Sequence, residues 1–125
     1  MGFLNNLSDS ITNAITKKET LRLPYVQMAQ LVKDFFITGA DDAYLDKVKK
    51  EAKGGMLTNG VLDSADGRYQ LKVMVHNRGI GTGREVWIYD NQANKFYQLD
   101  KDHHFKKFYA AVEAAVNMEK INRNK

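Results

Sequence analysis

The sequence predicts an α+β fold: an antiparallel sheet of three to four strands, a meander, with N-terminal helices and a long C-terminal helix packed on one face, in the order ααα-ββββ-α. Three observations lead there. Apolar residues recur at three and four positions up to about residue 53, alternate between about 56 and 99, and return to helical spacing after about 105. The strand-like segments are joined by turn-length links, which favours antiparallel pairing, since a parallel crossover needs a dozen or more residues. At 125 residues the chain is of single-domain length, enough for one core.

Each element follows from local chemistry. Phe3, Leu4, Leu7, Ile11, Ala14 and Ile15 mark an amphipathic helix over about 3–17. A second helix begins near Pro24, whose fixed φ suits a first turn, and carries the stripe Tyr25, Met28, Ala29, Val32, Phe35, Phe36. A third, more polar helix starts with Asp41 or Asp42 as its cap and ends at Gly54-Gly55. The period then changes to two. Met56 to Asp63 is a first strand segment containing Asn59-Gly60, a preferred pair for a type I′ turn, and "SADGR" is a second turn signal. Tyr69 to His76 alternates cleanly, Glu85 to Asp90 is its expected partner, and "NQAN" leads into Lys95 to Leu99. The last helix starts near Asp100 or Asp102 and runs to about Lys120, with Phe105, Phe108, Tyr109, Val112, Ala115 and Val116 on one face.

Composition removes several activities. With no cysteine there is no disulfide, thiol nucleophile or thiolate metal ligand. The N-terminal segment has no basic and apolar leader pattern, no apolar run approaches a membrane span, and Asn6 stands where a myristoylation signal wants Ser or Thr; a cytoplasmic location is the expectation. The net charge is +4, and the segment from Lys101 to Lys125 is its most basic part, a modest tail that suits a solvated helix end.

The most site-like stretch is "HNRGIGTGR", residues 76–84. Its glycines are spaced G-x-G-x-G, no Lys-Ser/Thr follows, and strand lies on both sides, so the helix N-terminus that a nucleotide loop requires is missing. What remains is a hairpin connection in which Arg78 and Arg84 either grip an anion or partner group or simply face solvent. His76, His103 and His104 lack metal-ligand spacing; Asp63, Asp66 and Gly67 fit a turn better than a calcium loop. No nucleophile motif or acid–base pair stands out, and no metal or cofactor is implied.

The first helix offers a second candidate surface. Phe3, Leu4, Leu7, Ile11 and Ile15 form its apolar face and Asn5, Asn6, Ser8, Ser10, Thr12, Asn13 and Thr16 a nearly uncharged one, so residues 1–18 read either as core or as a detachable arm for a partner, a second copy or a membrane surface. Tyr69, Trp87, Tyr89, Phe96 and Tyr97, interleaved with Lys72, Arg84 and Lys95, resemble a base-stacking sheet in composition but lack its signature motif. By elimination, the expectation is a non-enzymatic module that binds another protein, as an adaptor, inhibitor or immunity-type protein would. The alternative is a weak nucleic-acid binder using the loop arginines, the sheet aromatics and the basic tail.

Overall fold

The computed structural model of the chain describes residues 20–54, 60–77 and 82–123. In chain order these form β1 (Thr20–Leu23), α1 (Tyr25–Val32), α2 (Asp42–Gly54), β2 (Leu62–Asp63), β3 (Tyr69–Asn77), β4 (Thr82–Asp90), β5 (Lys95–Leu99) and α3 (Phe105–Arg123). The strands make one mixed sheet in the spatial order β1-β5-β4-β3-β2.

The expected meander is present, with β2, β3, β4 and β5 pairing antiparallel in succession. The sheet departs from expectation at its margin. A fifth strand, β1, joins the meander by pairing parallel to β5, Thr20 opposite Phe96 and Leu23 opposite Leu99. The described order is therefore β-α-α-β-β-β-β-α rather than ααα-ββββ-α. Four residues with only Leu21 and Leu23 alternating are too short to establish a period of two, and a partner far along the chain leaves no local turn signal. The segment expected as a strand from Met56 supplies only the two residues of β2, and residues 55–59 lie outside the described part. The first amphipathic helix, residues 3–17, lies outside it too.

The helices end where their chemistry says they should. Pro24 precedes α1 and its carbonyl accepts the Met28 N–H at 3.0 Å, a first helical bond. After Val32 the helix widens into a π-turn, Lys33–Ile37, closed by Thr38 N donating to Lys33 O at 2.9 Å. Gly39 then turns the chain with φ of +81°, a conformation that costs other residues strain. Asp41 caps α2 by accepting the Tyr44 N–H at 2.8 Å. At the far end of the chain Glu119, Lys120 and Arg123 reach back to this corner: Glu119 accepts the Gly39 N–H at 3.0 Å, Lys120 pairs with Asp46 at 2.8 Å, and Arg123 binds Asp42 and the Ala40 carbonyl.

One core joins α1, α2 and α3 to a single face of the sheet. Met28 and Val32, Leu45 and Val48, and Phe108, Val112 and Val116 are buried together with Leu71 and Val73 of β3, Val86 and Ile88 of β4 and Leu99 of β5. Phe35 stacks on Tyr69 with ring centroids 3.7 Å apart. The alternate residues of the same strands point the other way, where Trp87 and Phe96 form a separate apolar cluster with Met74 and Tyr89 against it.

Two turns at one end of the sheet are tied by polar groups. Arg68 donates to both oxygens of Asp90, at 3.0 and 2.9 Å, and Asp90 also accepts the N–H groups of Gln92 and Ala93. Asn91 donates to Gly67 O at 2.8 Å, and Ser64 links Asp66 to the Tyr69 N–H. Asp66 and Gly67 thus belong to a hydrogen-bonded turn, with Gly67 at φ +76°.

Candidate functional site

The glycine loop is a hairpin connection. β3 continues to Asn77 and β4 resumes at Thr82, paired residue to residue, so the connection is residues 78–81 and shorter than the "HNRGIGTGR" stretch as a whole. Arg78 lies outside the described residues. Arg84 sits two residues inside β4, opposite Val75, not at the tip. Its guanidinium carbon is 5.0 Å from the centre of the Phe105 ring, and its Nε is buried with no hydrogen-bond partner among the described residues. Cation–π contact with Phe105 replaces hydration on that side of the guanidinium.

Around the start of α3 the side chains are aromatic and basic. His103 and His104 occupy a 3₁₀ turn, and their rings do not diverge as they would on an α-helix: the centroids are 4.4 Å apart. The Tyr25 ring meets His104 edge-on at 6.0 Å, and Lys107 lies 5.8 Å over Tyr25. Desolvation, helped by the positive neighbours His103 and Lys107, holds the His104 imidazole below its ordinary 6.5, with Asp100 opposing. Among the described residues no group of three or more His, Asp or Glu is placed to hold a metal ion.

The sheet aromatics do not make one platform. Register places Tyr69 and Tyr97 on the helix-covered face with Ile88 and Leu71, and Trp87, Tyr89 and Phe96 on the opposite face. Tyr89 stacks on Phe96 at 4.5 Å, Trp87 meets Phe96 edge-on at 5.9 Å, and Trp87 Nε1 donates to Glu85 at 3.0 Å. Basic groups of the C-terminal helix are also engaged, Lys120 and Arg123 by the carboxylates named above.

The two margins of the sheet are finished differently, a feature that periodicity cannot reveal. On the β3 side, beyond the two residues of β2, the carboxylate of Glu51 on α2 accepts the Val73 N–H at 2.9 Å, and Glu51 is fully buried in doing so. Tyr44, also on α2, donates its hydroxyl to the Asp63 carbonyl; burial, with Asp63 and Asp66 adding, pushes that hydroxyl up to about 12. A helix therefore covers and caps this margin. On the other side β1 pairs only with β5 among the described residues, and Leu21 and Arg22 are exposed. Leu21 retains 45% of its exposure and Val26, in the first turn of the helix that follows, 61%.

Among the described residues no helix is long and apolar enough to cross a membrane. The chain matches no protein-family model, and no characterised protein or solved structure is significantly similar to it. The side chains themselves are then the basis for a functional reading.

Proposed function

We propose that the chain is a small non-enzymatic protein-binding module of the adaptor, inhibitor or immunity type, and that it recruits its partner along the outer margin of β1. The observation that carries this reading is the contrast between the two sheet margins: Glu51 caps one, while the other keeps an exposed strand flanked by Leu21 and Val26. An exposed strand edge recruits an added strand through main-chain hydrogen bonds, with neighbouring apolar side chains supplying selectivity. Among the described residues no strand pairs with the other edge of β1.

The nucleic-acid alternative finds less support among the described residues. There Lys120 and Arg123 hold carboxylates, Arg84 lies over Phe105, and Trp87 and Phe96 are buried, so these cations and stacking rings do not share one accessible surface.

Affinity capture from lysate of the source cells, with L21E/V26E beside the unmodified chain, tests the reading. Both positions are exposed, so the melting temperature should hold while the captured partner is lost. In the complex with that partner, hydrogen exchange at the Leu21 and Arg22 amides should slow. Equal capture by the double variant, or retention of nucleic acid that falls steeply with salt, would overturn it.

A further inference from the structure

The 3₁₀ turn Asp102–His104 stands where three elements meet. Just before it, the Asp100 N–H donates to Leu23 O at 2.9 Å, one residue past the paired register of β1 and β5. Inside it, the His104 N–H donates to Lys101 O at 3.0 Å. The His104 ring then makes its edge contact with Tyr25, the first residue of α1, at 6.0 Å. The end of β1, the start of α1 and the start of α3 are tied together at this short turn.

The charges gathered there are mostly of one sign. The His103 and His104 rings are 4.4 Å apart, and Lys107, one turn along α3, lies 5.8 Å over the same Tyr25 ring. Lys101 precedes the turn, Lys106 stands beside Lys107, and Arg84 of β4 lies 5.0 Å over Phe105, the residue after His104. The acids are Asp102, within the turn, and Asp100, whose Oδ1 is 3.9 Å from His104 Nδ1. That separation is too long for a hydrogen bond, and Asp100 Oδ1 is buried with no donor among the described residues. A proton on His104 therefore adds a positive charge beside a second imidazole and two ammonium groups, in a side chain that keeps only 26% of its exposure.

We propose that the turn Asp102–His104 is a proton-operated latch: with His104 neutral it holds the start of α3 against Tyr25 and the end of β1, and with His104 charged it lets go. The latch acts on this corner whether or not β1 serves as a docking margin. Its direction follows from linkage. Desolvation first, then His103 and Lys107, outweigh Asp100 and keep the imidazole below its ordinary 6.5 in the closed turn. The closed turn thus binds a proton less readily than the open one. It is at full strength above about pH 6.5 and gives way as pH falls through the lower, closed-state value. Phe108, Val112 and Val116 keep the rest of α3 in the core, so the opening is local.

Nuclear magnetic resonance on the full-length protein tests this. The His104 ring should titrate with a midpoint below 6.5. Between about pH 7.5 and about pH 5, hydrogen-exchange protection at the Asp100 and His104 amides should fall several-fold, while that at Val112 holds. H104F keeps a ring against Tyr25 but takes no proton, and its protection at the Asp100 amide should be the same at both pH values. H103Q removes one of the facing cations and should raise the His104 midpoint, which keeps the proposal testable if H104F does not fold. A His104 midpoint above 6.5 would show that Asp100 wins and that acid tightens the turn, overturning the proposal. Protection in the parent that ignores pH would overturn it equally, as would the same acid loss in H104F or an unmoved midpoint in H103Q.

Discussion

Asp90 shows how much one side chain contributes here. It is 3% exposed, takes two bonds from Arg68 and caps the turn that follows β4 through the Gln92 and Ala93 amides. The Arg68 guanidinium, joined by smaller contributions from the two amides, outweighs burial and holds its carboxyl below the ordinary 3.8. A carboxyl depressed in the fold binds protons less readily than in the unfolded chain. Its contribution is therefore complete above about pH 3.8 and is lost as pH falls through the lower, folded-state value. D90N should cost about 2 kcal/mol at pH 7 in urea unfolding, because it leaves a charged donor without its partner. The difference from the parent should shrink as acid protonates Asp90, and a gap that stays constant down to pH 2 would rule out the assigned role. None of this was legible in advance. "SADGR" and "NQAN" announced turns, but the pairing of Arg68 with Asp90 depends on two turns meeting at one end of a sheet. Arg84 shows the converse: its place beside the glycines suggested a loop tip, while the continuation of β3 to Asn77 put it inside the strand.

At the scale of elements, the helices and the meander could be read because each carries its signal within a dozen residues. Tyr25 to Phe36 keeps helical spacing even though the backbone changes from an α-helix to a π-turn after Val32, since both wind the same apolar side chains toward the sheet. The wider turn itself leaves no mark in composition. β1 and the capping of β3 by Glu51 were hidden for a different reason: both are contacts between segments far apart in the chain. The link between α1 and α2 allows a direct check. A Cβ at Gly39 would meet nothing within 4 Å, so G39A should lose about 1 kcal/mol from its φ of +81° alone. Gly54 is equally uncrowded and lacks that φ, and G54A should be neutral or stabilising by up to about 1 kcal/mol. Equal effects in the two variants would contradict this account.

At the scale of the molecule, the α+β class and the packing of helices on one face were legible, whereas the mixed sheet and the candidate surface at its margin were not. Surfaces are invisible to periodicity because an exposed strand edge is a backbone property, set by what fails to pair with it. Because α1, α2 and α3 share their core with β3, β4 and β5, the chain should unfold as one unit. Far-UV circular dichroism and Trp87 fluorescence report on the helices and on the opposite sheet face, and their transitions in urea should superimpose. Separate midpoints would mean that the two faces of the sheet melt independently.

The parallel pairing of β1 also sets an order of events during synthesis. β1 leaves the ribosome early, but its partner β5 follows roughly 75 residues later, a wait on the order of ten seconds at typical elongation rates. Until then the inner edge of β1 is without the strand it pairs with in the fold. The neighbouring helix α1 is in a similar position, since much of the surface that buries Met28 and Val32 comes from β5 and α3. Native assembly of the N-terminal half therefore waits for the C-terminal half, and a nascent chain stopped before Lys95 would display an apolar strand and helix with nowhere to go.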